Sequence, residues 1–295
     1  MSDAMKPQSR TKIGRAIFSE AFKNLNKDKS ILWLPIIGFG INLVVAVIVF
    51  AAMLIPSIMA SSGSYDYITI AASVLVAIVA ALVHVFTQAS VMSAANQRYQ
   101  GQTPTIGTAV AGARAHFATL FKFGLLEATV GMILRAIKDN FKMVGGLISI
   151  VGGLAWGVAT YFAIPAILFE NAGPIEAIKK SGSLITSRWG AALRVNVLAS
   201  ALFVMVLLLG FGGFIGGIFV TAQSSFGTTD AMFLGGLWLM GVSVLFLILV
   251  AFVQATVMSY ACVALYRYAV GQPLPDFNSD LARNAFRIKG QRFAS

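Results

Sequence analysis

Six long apolar runs divide this chain, and they restrict its fold more than any other feature. Runs of about 18 or more apolar residues are typical of transmembrane helices, because about 20 residues rising about 1.5 Å each cross a hydrocarbon core of about 30 Å. Only 11% of the residues are charged, whereas a soluble domain carries roughly 25%. The sequence therefore predicts an all-α integral membrane helical bundle. Its six transmembrane helices are expected at about 31–57, 68–95, 117–137, 143–168, 190–221 and 231–266.

The third run is the weakest of the six, because Lys122 and Glu127 interrupt it. The sequence leaves open whether the hairpin over 117–168 crosses the whole bilayer or is shallow or re-entrant. The first run is too long for the apolar part of a cleaved signal peptide, so we expect it to be retained as a span.

Lysines and arginines predict the orientation. With these spans, 19 of the 22 Lys and Arg residues fall on one side of the membrane. The other side has Arg135, Lys138 and Lys142, all in one turn. Cytoplasmic loops carry the excess of basic residues, so both termini are expected in the cytoplasm. The net charge of +11 is then explained by loops that face anionic lipid, and no nucleic-acid partner is expected.

Two segments near the ends of the second and sixth spans are similar. Residues 86–95 and 252–261 are identical at seven of ten positions, and an Arg-Tyr pair and a Gly-Gln pair follow both. The Gln, Met and Arg-Tyr matches go beyond what a chain rich in Ala and Val gives by chance. The sequence therefore predicts an internal duplication.

A second, weaker similarity lies before the hairpins, at 13–17, 106–110 and 174–178. Each segment begins an amphipathic stretch with basic residues, which is typical of a helix in the headgroup plane. The alternative is a plain cytoplasmic extension of the next span. The residues expected to contact lipid headgroups are Arg15, Lys23, Arg114, Lys179, Lys180 and Arg188.

These patterns together predict one transmembrane domain over 12–271, made of three hairpins that each follow a cytoplasmic amphipathic interfacial helix. The units are 12–101, 104–172 and 174–271, between a flexible N-terminus at 1–11 and a cytoplasmic tail at 272–295. Because each unit has two spans, the units share one orientation and are related about an axis along the membrane normal.

The end of the fourth span has a distinctive pattern. Pro165 and Glu170 are followed by Gly173-Pro174, a basic amphipathic stretch and Trp189. This pattern resembles bacterial polytopic membrane families grouped with the membrane domain of glycerophosphodiester phosphodiesterases. The resemblance implies a membrane fold and a location in a bacterial inner membrane. It does not imply the phosphodiesterase activity, because this chain has no room for the catalytic domain of the fused members.

The pattern also has a structural explanation. Pro165 lacks a backbone donor and can kink its span, and Pro174 suits the first turn of the next helix. Elsewhere, Gly212-Gly213 with Gly216-Gly217, and Gly153 with Gly157, are spaced to permit close helix approach within the bundle or between protomers.

Four polar residues within the spans could line a pathway: Glu127, His84, Gln88 and Gln254. An ionised carboxylate at depth costs several kcal/mol unless it is paired or hydrated, so Glu127 is a candidate proton or cation site. The alternative is a carboxylate that is paired with Lys122, His84 or Arg135, or that is hydrated because the hairpin is shallow. Gln88 and Gln254 occupy equivalent repeat positions, and packing between helices is the alternative for both.

The sequence has no nucleophile elbow, zinc-ligand spacing or phosphate-binding loop, so no enzyme activity, cofactor or metal is expected. Our first hypothesis is a non-enzymatic protein that organises the envelope, serves as an accessory subunit or interacts with lipid. The alternative is a transporter or channel for a small solute or ion along the repeat axis. The expected partners are anionic lipids, a second copy of the chain or another membrane protein.

Overall fold

The computed structural model describes residues 19, 21–59, 65–185, 193–223 and 231–272, and all regular structure within them is helical. A short 3-10 turn, Lys29–Leu32, precedes the first long helix. The helices are α1 (Trp33–Met59), α2 (Tyr65–Tyr99), α3 (Ile106–Arg114), α4 (Phe117–Asn140), α5 (Lys142–Thr160), α6 (Ala163–Glu170), α7 (Pro174–Leu184), α8 (Leu193–Gln223) and α9 (Ala231–Ala269).

Within the described residues, six helical segments are long and apolar enough to cross a membrane, which confirms the number predicted from the sequence. The third of them, α4, is one continuous helix of 24 residues. It is therefore about 36 Å long, which exceeds the hydrocarbon thickness. The expected flexible N-terminus at 1–11 and most of the tail at 272–295 lie outside the described residues.

The buried core lies at one end of the bundle, the end that carries most of the basic residues. It is built from the C-terminal parts of α2 and α9, the first half of α4, and the short helices α3, α6 and α7. Tyr99, Tyr260 and Tyr266 are among its largest fully buried side chains. Toward the other end, large apolar side chains are exposed on α1, α5, α8 and the first half of α9. The long helices are thus packed together at the basic end and offer apolar surface to lipid beyond it.

The last hairpin, α8 with α9, depends on two glycines. A Cβ atom at Gly217 would lie 2.8 Å from the Gly236 carbonyl oxygen and 2.9 Å from the Met240 amide nitrogen. The backbones of the two helices therefore touch, as the sequence predicts for this glycine pattern. Gly153 and Gly157 make no such close approach within the described chain, because a Cβ at Gly157 would have no atom within 4 Å and one at Gly153 would only touch Leu134 at 3.9 Å. Close approach between two copies of the chain stays a prediction for this pair.

The predicted fourth span is broken between α5 and α6. Pro165 has no N–H to donate to the carbonyl oxygen of Tyr161, one turn earlier. That oxygen instead accepts a hydrogen bond from the Cys262 thiol of α9, at 3.2 Å. The Phe162 amide at the break donates to the Ser181 hydroxyl of α7, at 2.9 Å. The break is thus stabilised by side chains from two other helices, which fix its position against α9.

The two segments predicted to be copies end in the same way. Gly101 and Gly271 both have positive φ, 80° and 77°. The residue after each glycine donates back five residues, with Gln102 to Gln97 at 2.9 Å and Gln272 to Arg267 at 2.8 Å. This is the Schellman type of helix end, for which glycine is the usual residue. Duplication itself stays a prediction.

Candidate functional site

A cavity of about 210 Å³ lies where the packed end of the bundle meets the part that is open to lipid. It is bounded by α2, α4, α9 and the break between α5 and α6. The lining residues are His84, Gln88, Met92, Phe123, Glu127, Gly157, Thr160, Tyr161, Ile164, Met258, Ser259 and Cys262. All of these residues lie within the candidate spans, so the cavity is inside the membrane region.

Three of the four residues that we singled out in the sequence line this cavity: His84, Gln88 and Glu127. His84 and Gln88 are one turn apart on α2, and Glu127 comes from α4. Gln254 is half-buried on α9 and is not among the lining residues. The cavity thus contains one member of the repeated glutamine pair, so it is not symmetric with respect to the predicted repeat.

The Glu127 carboxylate has no cationic partner in the described part of the chain. Neither His84, Lys122 nor Arg135 forms an ion pair with it. The side chain is half-buried, and its oxygens are not among the buried polar atoms without a partner. Because a carboxylate at this depth needs a partner or water, the cavity is the place where Glu127 would meet one.

Three other polar groups of the cavity have used their donors, whereas the Gln88 amide and the His84 imidazole still carry N–H groups. The hydroxyl groups of Thr160 and Ser259 donate to the carbonyl oxygens one turn earlier, each at 2.9 Å. The Cys262 thiol donates to Tyr161. A hydroxyl oxygen whose proton is engaged can still accept. The Glu127 carboxylate, these oxygens and the side-chain oxygen of Gln88 are the acceptors available to a cation in the cavity.

A second polar cluster closes the basic end of the bundle. The Asp28 carboxylate accepts from the Arg98 guanidinium through two nitrogens, one of them Nε at 2.7 Å. The hydroxyl of Tyr260 donates to the same carboxylate at 3.3 Å, and Tyr99 donates to the Tyr260 carbonyl at 3.2 Å. We call Asp28, Arg98 and Tyr260 the clamp, because they join the segment before α1 to α2 and α9.

A related cluster surrounds Glu170 at the end of α6. Its carboxylate accepts from the Tyr266 hydroxyl and pairs with the Lys180 ammonium. Lys180 was expected to contact lipid headgroups. In the structure its ammonium group forms an ion pair with Glu170. Lys23, Arg114 and Lys179 are exposed, whereas Arg15 and Arg188 lie outside the described residues.

The contacts of the clamp and of the Glu170 cluster could not be predicted from the sequence. Asp28 lies between two lysines in a polar stretch, and no periodicity distinguishes it there. Arg98 was noticed as part of the repeat, but its partner was not. A carboxylate just before the first span was the one available signal, since a buried arginine at the end of α2 needs a counterion.

A basic end, six apolar helices and a polar cavity between them define a multi-pass α-helical membrane protein. Over residues 66–273 the chain matches DUF6159, a family of unknown function, and it belongs to that family. No curated protein and no solved structure matches the chain. The resemblance to the membrane domain of glycerophosphodiester phosphodiesterases stays an expectation.

Proposed function

We propose that this protein is a membrane transport protein that binds a small cation in the cavity around Glu127. The convergence of His84, Gln88 and Glu127 on one cavity is the observation that carries the proposal. A cation would supply the partner that the carboxylate lacks among the described residues. This was the alternative in the sequence analysis, and we now favour it over a scaffolding role because the cavity unites residues from different helices.

The cavity volume of about 210 Å³ limits the ligand. Pockets that enclose drug-sized molecules measure roughly 300–1,000 Å³, so the cavity suits an inorganic ion or a small ammonium group. The proposal includes no covalent step, no cofactor and no enzyme activity.

The proposal is tested by electrical recording from proteoliposomes adsorbed on a solid-supported membrane. They would be challenged with sodium, potassium and tetramethylammonium chloride, and with sorbitol as an uncharged solute. We expect at least one of the cations to give a current in the wild type. In Glu127→Gln that current should fall at least tenfold.

The matched control is Asp139→Asn, which removes a carboxylate from the same helix. Asp139 is exposed and lies about 18 Å further along α4, so its variant should keep the wild-type current. Currents that are absent with all three cations, or unchanged in Glu127→Gln, would contradict the proposal.

A second candidate function, binding to anionic lipid, is favoured by α7. Ile175 is 55% exposed and Lys179, one turn later, is also exposed. An apolar and a basic side chain on one face suit a helix in the headgroup plane. Native mass spectrometry after purification should then show phosphatidylglycerol retained by the wild type and lost from Ile175→Ser/Lys179→Gln. Equal retention by both would remove this candidate.

We further propose the finer arrangement expected from the sequence. The basic end faces the cytoplasm of a bacterial inner membrane, and three hairpins follow interfacial helices, of which α3, α7 and residues 21–27 of the first are described as helical. The matching helix ends at Gly101 and Gly271 support duplication. Cysteine labelling at exposed positions of both ends, with an impermeant reagent on intact cells, would test the orientation.

A further inference from the structure

We infer that the cation is the headgroup of an amphiphile, which reaches the cavity sideways from the bilayer through a groove between α5 and α9. This inference rests on the proposed function and names the substrate class: organic ammonium ions with an alkyl chain. The structural basis of this inference is that the cavity opens within the membrane region.

The cavity opens within the membrane region. His84 and Gly157 line it, and both are exposed although they lie inside candidate spans. The helices on either side of this opening pack mainly against other helices: in the described structure α5 packs against α4, α6 and α7, whereas α9 packs against α8, α2 and α1. Closer to the basic end, α9 also contacts the break and α6 through Cys262 and Tyr266. An opening at this depth meets lipid chains.

Small residues continue the cavity along both helices. On α5, Gly153 lies one turn before Gly157, on the same face, and a Cβ at Gly157 would have no neighbour within 4 Å. On α9, Ala255 and Ala251 lie one and two turns before Ser259, and both are exposed. The groove therefore leads from the cavity away from the basic end, and a Cβ at Gly153 would touch only Leu134 of α4, at 3.9 Å.

The apolar surface beside this groove suits an alkyl chain. Leu154 on α5 and Val244 on α9, two turns before Ala251, are 67% and 40% exposed. A chain in the groove would cover such surface while its headgroup occupied the cavity. The volume of about 210 Å³ accommodates a headgroup but leaves a long chain outside, in keeping with an amphiphile.

The lining of the cavity suits an organic ammonium group. Phe123 and Tyr161 contribute aromatic surface, which attracts ammonium ions. Met92 and Met258 contribute thioethers, which adapt to irregular apolar groups. The Glu127 carboxylate supplies the countercharge. An anionic or uncharged headgroup would leave this carboxylate unneutralised, so charge complementarity selects a cationic amphiphile.

The experiment uses photolabelling of the full chain in phosphatidylcholine nanodiscs. The probe is dodecyltrimethylammonium with a diazirine in its alkyl chain, and the matched uncharged probe is dodecyl maltoside with the same diazirine. Labelled peptides are quantified by mass spectrometry. We expect the cationic probe to label 150–157 and 244–255 at least tenfold more than the exposed part of α8.

This enrichment should disappear in Glu127→Gln, persist in Asp139→Asn and be suppressed by excess tetramethylammonium. Uniform labelling of the exposed helices, equal enrichment with the maltoside probe, or enrichment unchanged in Glu127→Gln would overturn the inference.

The two experiments distinguish the proposed cation transport from the proposed entry of an amphiphile through the groove. Uniform labelling together with Glu127-dependent currents would leave a cation transporter that is loaded from water, and would remove the lateral groove. Glu127-dependent labelling without currents would leave the amphiphile site and remove transport.

Discussion

The thiol of Cys262 donates a hydrogen bond to the carbonyl oxygen of Tyr161, and this contact joins α9 to the break between α5 and α6. The oxygen is available because Pro165 has no N–H to offer it. The sole cysteine of the chain is thus explained by backbone chemistry, and it also forms part of the cavity wall.

Replacing Cys262 by valine should destabilise the protein, because the Tyr161 carbonyl then loses its donor within the membrane. We expect a loss of about 1 kcal/mol, measured as a lower thermal midpoint in detergent. Cys262→Ser keeps a donor of similar size and should remain close to the wild type. Equal destabilisation by valine and serine would show that packing, rather than the hydrogen bond, is what matters.

Gly217→Ala should loosen the last hairpin. The new methyl group would contact backbone atoms of Gly236 and Met240, which cannot move aside as a side-chain end can. We expect a loss of about 1–3 kcal/mol in unfolding free energy. Gly212→Ala is the matched control, since its Cβ would meet no atom within 4 Å. A loss of equal size in the control would contradict this account.

Asp28→Asn should weaken the clamp. Arg98 has a side-chain exposure of 14% and Asp28 of 3%, so the charge pair is largely desolvated. Loss of one partner of such a pair typically costs about 3 kcal/mol or more. A double-mutant cycle with Arg98→Gln, followed by chemical unfolding in detergent, should give a coupling free energy well above that of an exposed pair. Additive effects would show that the two residues act independently.

Gly157→Phe should fill the cavity without destabilising the bundle, since a Cβ there meets open space. We expect the thermal midpoint to stay close to that of the wild type while the cation current falls at least tenfold. Gly146→Phe is the control on the same helix, because its Cβ also meets no atom within 4 Å and Gly146 does not line the cavity. A wild-type current in the Gly157 variant would mean that ions take another route.

The positions of the helices could be predicted from the sequence, but the side-chain contacts between them could not. Long apolar runs determine where helices form, because the bilayer imposes one length on them. The break before Pro165 was foreseen as a kink, but Ser181 and Cys262 were not, since their roles depend on how α7 and α9 pack. Grouping Glu127 with His84 and Gln88 followed from their depth in the spans. The absence of Gln254 from the cavity lining could not be predicted, because Gln88 and Gln254 occupy equivalent positions in the repeat.

The hydrogen bond between Tyr260 and Asp28 joins residues 232 positions apart in the chain. During synthesis, Asp28 therefore leaves the ribosome long before the tyrosine that completes the clamp. The first five spans must insert while this carboxylate remains at the membrane surface, with Arg98 as its earlier partner. We therefore expect the clamp to be completed only after α9 has inserted, and a chain truncated before α9 to insert its earlier helices without the contact between Tyr260 and Asp28.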